Sequence, residues 1–355
     1  MKTLLTILSL VISLTLLVLL QLSFTSDNGN AHPMKQRIPE GFPRPVYDYR
    51  NNPLTREGFE LGRKLFYDGR LSRDGYTACA SCHQQFAAFS DFQHVFSHGA
   101  DSRFTRRNAP PLFNLAWQKE FHLDGAINHL ELQPLAPMTG QNEMNNTLDS
   151  IIARIKADAA YRKMFSSAFG SELVNTQRML WALAQFTGNI VSADSKYDRV
   201  KKGKAAFNEW EQQGYLIFKE RCADCHTEPL FTDLKYHNIG LAVDTFLNDF
   251  GRRDITGDKS DSLKFKTPSL RNISRTDPYM HDGRYWGLST AIDHWQTRSA
   301  SDTTADALIL RGKPLEKMEV KYLVSFLHTL LDSSFLKDPM LADPVQGNMI
   351  HGPLQ

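Results

Sequence analysis

The sequence predicts a mainly α-helical protein built as two tandem units, and three observations carry that reading. A five-residue pattern, C-x-x-C-H, occurs twice, as CASCH at 79–83 and CADCH at 222–226. Each copy follows a helix-like segment with the same G-x-x-[LI]-F core, GRKLF at 62–66 and GYLIF at 214–218. Each is followed by an aromatic–hydroxyl–Asp turn, FSD at 89–91 and FTD at 231–233. Repetition of a whole local context, rather than of one motif, is the mark of a duplicated structural unit.

The chemistry of the motif comes next. The chain has four cysteines, Cys79, Cys82, Cys222 and Cys225, and the two patterns use all of them. C-x-x-C-H is the attachment signature of c-type haem. Two thiols add across the haem vinyl groups, and the adjacent imidazole, His83 or His226, is placed to ligate the iron. A disulfide or redox C-x-x-C needs no following histidine, and a redox motif needs no second copy. A zinc site made from two C-x-x-C knuckles is the remaining rival, and it too leaves the paired histidines unexplained. The fold class is therefore two tandem cytochrome c-like domains, each with one covalent haem and long haem-lining loops.

The elements follow in order. Residues 1–24 hold one lysine and then an apolar run from about Leu4 to Leu20. This reads as a secretory signal, or as an uncleaved membrane anchor, because the run is long and no clear A-x-A site follows it. Either form implies export, with the periplasm as the expected location, and any membrane contact would come through this segment alone. Residues 25–50, rich in Pro, Gly and Asn, form a linker or wrapping arm. The first domain spans 51–205 and the second 206–340, with a tail at 341–355. Between Phe66 and Cys79 lies an insert that Phe218–Cys222 lacks. Each unit should have an early helix, its motif at a helix start, and a closing helix. Two further helices are expected at 146–169 and 175–190. The second unit closes on 317–334, with Met318, Val320, Leu323, Phe326 and Leu330 at near-helical spacing. Stretches 98–142 and 234–287 are too polar and too rich in Gly and Pro for regular elements. A net charge of +2 gives no reason to expect a nucleic-acid partner.

Further motifs carry a resemblance. LGRKLFYDGRLS, RNAPPLFN, the DG…LELQ…P…EM run, GRRDITGD, FKTPSLRN and PYMHDG stand in order around the two haem motifs. Together, over roughly residues 55–335, they resemble the bacterial di-haem cytochrome c peroxidase and MauG family. The resemblance implies that Gln133 and Glu143 face a peroxide site at the N-terminal haem and that Pro137 packs over the same face. Heterolysis of hydrogen peroxide needs a base that takes a proton from one oxygen and returns it to the other, which a carboxylate in an apolar pocket can do. The resemblance also implies a Ca²⁺ between the haems, at Asn108 and the carbonyls of Thr276 and Pro278, an oxygen donor set suited to a hard cation.

Three positions depart from the family pattern. Where many members have a histidine that ligates the resting N-terminal iron, this chain has Ala100, with His94 and His98 close by. Where a tryptophan often stands between the haems, it has Leu123, which cannot carry an oxidising hole. Where the C-terminal iron takes methionine or tyrosine as sixth ligand, it has Trp295, next to His294; Met280 is a lesser candidate. His294 is the expected ligand, since a fixed bis-histidine set suits electron transfer. The expected activity is reduction of hydrogen peroxide at the N-terminal haem, with electrons from a small cytochrome or cupredoxin through the C-terminal haem. The alternatives are a MauG-like enzyme that oxidises residues of a partner protein, and a non-catalytic electron carrier.

Overall fold

The computed structural model describes residues 31–297, 305–307 and 313–344, with only the backbone described for 295–297. The apolar run of residues 1–24 lies outside the described residues, and no helix among those described is long and apolar enough to cross a membrane. The chain is mainly helical. Its principal helices are α1 (Arg56–Phe66), α2 (Leu148–Ala157), α3 (Ala159–Phe169), α4 (Thr176–Thr187), α5 (Lys196–Lys201), α6 (Glu209–Arg221), α7 (Leu288–Thr297) and α8 (Lys317–His328).

Local chemistry sets the helix limits. Thr55, Asn175 and Asn208 accept backbone N–H bonds at the starts of α1, α4 and α6, and Glu211 completes a capping box with Asn208. The segment 146–169, expected as one helix, is two. Asp158 ends α2 in an extended conformation and accepts from Ala160 N, so it opens α3 instead of continuing α2.

Among the described residues there are two large hydrophobic cores and a small one around Trp117, and one motif packs on each of the large ones. The first gathers Phe59, Phe66, Phe89, Leu112, Phe113, Met179 and Phe186, with Cys79 against it. The second gathers Phe218, Phe231, Leu270, Leu323, Phe326 and Leu330, with Cys222 against it.

The two cores share one plan. α1 crosses α4 where a Cβ on Gly62 would stand 1.9 Å from the Ala182 carbonyl oxygen and 3.0 Å from Phe186 Cβ. α6 crosses α8 where a Cβ on Gly214 would stand 1.9 Å from the Tyr322 carbonyl oxygen and 2.8 Å from Phe326 Cβ. Four residues on, Phe66 meets Phe186 with ring centroids 5.2 Å apart, and Phe218 meets Phe326 at 5.0 Å. Leu112 N donates to the Phe89 carbonyl at 3.2 Å, and Leu270 N to the Phe231 carbonyl at 3.2 Å. Asn114 and Asn272, both in the left-handed region, donate their backbone N–H to Ile190 and Leu330. The glycine of the G-x-x-[LI]-F core is thus required by a backbone-to-backbone approach that admits no side chain.

The placement of the motifs differs from expectation in one unit. CASCH opens a short helical turn, Cys79–Cys82, after the inserted loop. CADCH instead ends a helix: Cys222 caps α6 and its N–H bonds the Phe218 carbonyl. The insert gives the first motif room for its own turn, whereas the second runs directly off its helix. The stretches expected to be irregular also hold short elements. Leu135–Thr139 and Arg253–Thr256 are single helical turns, and Tyr236–His237 pairs antiparallel with Phe265–Lys266.

Polar groups join the cores. Ser192 lies between Asn114 and Asn272: its backbone N–H and carbonyl bond the Asn114 amide, and its hydroxyl accepts from Asn272 Nδ2. Asn272 Oδ1 accepts from Asp332 N, and the Asp332 carboxylate accepts from Ala193 N and Asp194 N. Arg271, fully buried, forms a two-pronged ion pair with Asp198 of α5 at 2.8 Å on both arms. Beyond α8 the chain returns to the first core. Phe335 packs on Phe89 and Phe113, and Leu341 is buried there too. Arg63, Tyr67 and Gln85 bond carbonyls between Phe335 and Leu341.

Gly62→Ala is expected to destabilise the protein by about 1–3 kcal/mol, the usual penalty for overpacking. Urea denaturation followed by far-UV circular dichroism measures it; an unchanged midpoint would mean that the helices part without cost.

Candidate haem and peroxide site

Each motif histidine is tied down by one carbonyl. His83 Nδ1 donates to the Phe89 carbonyl at 2.9 Å, and His226 Nδ1 to the Phe231 carbonyl at 3.1 Å. This fixes the tautomer and leaves Nε2 with its lone pair free, the arrangement that suits a histidine to hold a metal. Burial keeps both rings neutral, pushing the His83 pKa down to about 4 and lowering that of His226. None of the four cysteines pairs in a disulfide among the described residues.

A cavity of about 640 Å³ opens beside the first motif, lined by Cys79, Cys82 and His83 together with Gln133, Pro137 and Glu143. Its size is that of an ordinary cofactor pocket. Two thiols and a neutral buried imidazole at its wall fit covalent haem. Gln133 ends the turn Leu130–Leu132. Pro137 and Glu143 belong to one tight fold of chain, in which Met144 N donates to the Pro137 carbonyl and Glu143 N to the Gly140 carbonyl, both at 3.0 Å. Burial raises the Glu143 pKa, which keeps a proton on this carboxyl to higher pH than usual.

The departures from the family pattern have a clear placement. Ala100 is fully buried, and its N–H donates to the Glu143 carbonyl at 2.6 Å. A Cβ on the neighbouring Gly99 would stand 2.3 Å from the Asn142 carbonyl oxygen. The loop therefore lies directly on the Glu143 turn, with no side chain between them. His94 and His98 are not among the residues lining the cavity; His94 pairs with Asp91 at 3.0 Å and stacks edge-on with His98. Leu123 does line the cavity, and its carbonyl accepts from Lys266 N of the second unit at 2.7 Å. Phe121 lines the cavity too, whereas Trp117 turns to Phe42 and bonds the Pro43 carbonyl.

Asn108 sits where the two units meet. Its N–H donates to the His281 carbonyl, and Nδ2 donates to the carbonyls of His94 and Val95. Gly283 brings Val95 and Pro278 together, each about 3 Å from where its Cβ would lie. Thr276 ends the turn Ile273–Arg275. Carbonyls and the Asn108 amide oxygen match the donor type of a hard cation.

His294 lies on α7, with Nδ1 3.4 Å from the Tyr285 hydroxyl and Nε2 3.2 Å from the Ile239 carbonyl oxygen. The Trp295 side chain falls outside the described residues. Met280 occupies a left-handed turn position, φ 76°. Near the second motif, Cys225, Asp233 and His237 converge within 4.8 Å. His237 is already held through both nitrogens by Asp233 and Asp306, and Cys225 belongs to the motif.

Three cavity residues escape a motif-based reading. Arg107 clamps Asp124 and Asp249 across the two units at 2.5–2.7 Å. Lys266 is buried, bonds Gln118 and the Glu120 carbonyl, and is lowered by that burial to about 8. His122 stands one residue before Leu123. The sequence signal was present in the run HLDG, where a second titratable group accompanies the lost tryptophan.

Comparison with known proteins agrees with this geometry. Residues 56–206 match the family model described as di-haem cytochrome c peroxidase. The methylamine utilization protein MauG of Methylorubrum extorquens is 37% identical over 302 residues, covering 83% of this chain and 82% of the relative. The cytochrome c551 peroxidase of Nitrosomonas europaea is 33% identical over 294 residues, covering 81% and 84%. The crystal structure of a MauG-like protein associated with microbial copper homeostasis superposes with a TM-score of 0.79 at 34% identity, covering 88% of this chain and 99% of that one. The chain therefore belongs to the di-haem cytochrome c peroxidase and MauG family, and it is a cytochrome c peroxidase-like oxidoreductase.

Proposed function

We propose that this protein is an exported, periplasmic di-haem peroxidase that reduces hydrogen peroxide to water at its N-terminal haem, with electrons delivered through the C-terminal haem. The observation that carries the reading is the meeting of Gln133, Pro137 and Glu143 in one cavity with Cys79, Cys82 and His83. The recurrent helix crossing and histidine–carbonyl bond support two tandem cytochrome c-like domains, 51–205 and 206–340, each with one covalent haem. Export rests on the apolar segment at 1–24 and on the extracytoplasmic chemistry of c-type haem. A small cytochrome or cupredoxin is the proposed reductant, and Ca²⁺ at Asn108, Thr276 and Pro278 would brace the contact between the domains.

Haem held there would supply a redox-active iron for the reduction of peroxide. Cys79 and Cys82 would anchor that group, and His83 would hold its iron through Nε2. Gln133 positions peroxide by hydrogen bonding. Glu143, in its ionised form, takes a proton from one peroxide oxygen and returns it to the other, which leaves as water. Ala100 puts no ligand side chain over this site, which favours an N-terminal iron that reacts without prior rearrangement. The same feature suits a MauG-like enzyme acting on a partner protein, but Leu123 removes the aromatic relay such a reaction would use at that position. For the C-terminal iron, ligation by His294 requires Nε2 to exchange the Ile239 carbonyl for the metal.

The purified protein should keep two haems through acid–acetone extraction, and Cys222→Ala with Cys225→Ala should halve the haem-to-protein ratio; haem released by extraction would refute covalent attachment. Glu143→Gln should cut the peroxide rate by about 10²–10⁴-fold with both haem spectra intact. Because burial raises the Glu143 pKa, the wild-type rate should fall as pH drops through a value above the ordinary carboxylate range, where the base form is lost. Stopped-flow kinetics against pH checks this, and wild-type turnover in the mutant would remove Glu143 from the reaction. The EPR spectrum of the fully oxidised protein should show a high-spin N-terminal iron and a low-spin bis-imidazole signal that His294→Ala abolishes. A wholly low-spin protein inert to peroxide would point to His94 or His98 as the N-terminal ligand.

A further inference from the structure

Gln133 lines the cavity beside Pro137 and Glu143, yet among the described residues nothing hydrogen-bonds its side-chain amide. Its direction is therefore set by the backbone that carries it. That backbone is the turn Leu130–Leu132, closed by Leu132 N on the His129 carbonyl and by Gln133 N on the Leu130 carbonyl. Leu130 is buried in the first core and fixes how deep the turn sits. Residues three apart in such a turn share a face, so Leu130 and Gln133 lie on one side and Glu131 on another. Hydrophobic packing has no direction, and a turn held by Leu130 alone could swing about that contact. A directional anchor on a second face is needed to set where Gln133 points.

Glu131 supplies one. Tyr47 Oη donates to Glu131 Oε1 at 2.5 Å, and Trp181 Nε1, from α4, donates to Oε2 at 3.0 Å. Each carboxylate oxygen has its own donor, so turning the group breaks at least one bond, and charge-assisted bonds of this kind are stronger than neutral ones. Tyr47 is itself fixed. Its backbone N–H and that of Val46 bond the Ala116 carbonyl, both at 2.9 Å, and its carbonyl accepts from Gln36 Nε2. Asn52 Nδ2 donates both to the Tyr47 hydroxyl and to the Trp181 carbonyl, which links the two donors of Glu131 a second time. Burial, together with Glu131, raises the Tyr47 pKa, so the phenol keeps the proton it donates. His129, half exposed, stands 3.9 Å from the carboxylate, beyond hydrogen-bond reach. The segment that the sequence marks as a linker or wrapping arm thus reaches the turn that precedes Gln133.

We propose that Glu131 is a positioning residue of the peroxide site: by joining Tyr47 of the N-terminal arm to Trp181 of α4, it sets the turn that aims the Gln133 amide into the cavity. The proposal deepens the peroxidase reading and rests on the part it gives to Gln133. Glu131, Tyr47 and Trp181 are not among the residues lining the cavity, so they act on the reaction through Gln133 and not by contact with peroxide. Misplacing a positioning group by about 1 Å costs about 10²-fold in rate.

The test is a double-mutant cycle on the holoprotein, with haem content, resting absorption spectrum and urea midpoint as folding controls. Glu131→Gln keeps the shape of the side chain but replaces one acceptor oxygen with a donor. Tyr47→Phe removes a single donor from the carboxylate. Gln133→Leu removes the side chain being aimed. The second-order rate with hydrogen peroxide should fall by about 10²-fold in Glu131→Gln and by less in Tyr47→Phe. In a Gln133→Leu background, Glu131→Gln should lower the rate no further. The C–O stretch of the ferrous carbon monoxide complex of the N-terminal haem reports hydrogen bonding on the cavity side, independently of turnover. It should shift in Gln133→Leu, and Glu131→Gln should shift it in the same direction. Additive losses in the double variant would overturn the proposal, because Glu131 would then act through something other than Gln133. So would a C–O stretch that either single variant leaves unchanged. If Glu131→Gln does not take up haem, Tyr47→Phe runs the same cycle with the same outcomes. A wild type inert to peroxide, whose C–O stretch still responds alike to Glu131→Gln and Gln133→Leu, would sink the peroxidase reading while supporting the positioning role.

Discussion

The carbonyl oxygens of Phe89 and Phe231 are the points on which both haem sites turn. Each accepts two bonds, one from the motif histidine and one from the leucine of the downstream P-x-L-x-N segment. Each therefore ties three separated stretches of chain into one geometry: the motif, the aromatic–hydroxyl–Asp turn and the loop that lines the cavity. Phe89 and Phe231 both adopt left-handed backbone angles, φ 58° and 55°, which turns their carbonyls inward. The strain is held in place because both side chains are fully buried in their cores.

The contact between the units has a different character. It is polar, and it runs past the cavity rather than sealing it. Arg107 reaches across to Asp249 and keeps Asp124, while Lys266 reaches back to Gln118 and Glu120. Removing one partner of such a pair leaves a buried charge unmatched, which is costly. These residues fix the relation of the two motifs without filling the space beside the first. Leu123 sits in this contact and contributes shape and a carbonyl, not a redox-active ring.

Much of this was legible in the sequence because it depends on short-range chemistry. The paired motifs, the insert after Phe66 and the helices around Met179 and Leu323 follow from local pattern. The break at Asp158 was not read, since helix periodicity continues across it and only the side-chain cap reveals the stop. The end position of CADCH on α6 was missed for a related reason: nothing in the five residues says whether they begin or end a turn. At the site, Gln133 and Glu143 could be named only through resemblance, because a polar residue in a long loop carries no periodic signal. Arg107, Lys266 and His122 depend on contacts between residues more than a hundred positions apart or on the burial of one atom, and no local pattern encodes those.

The return of the chain after α8 has a consequence for how the protein is made. Phe335 and Leu341 complete the core that contains Phe59 and Phe66, and Arg63 bonds the carbonyl of a residue 276 positions later. A ribosome releases the first unit long before it releases this segment. Until then Phe89 and Phe113 lack the ring of Phe335, and the nascent unit exposes apolar surface of the kind that promotes association with other unfinished chains. Closure over so long a loop is also slow compared with local helix formation. The half of the molecule that is synthesised first is therefore the half that is finished last.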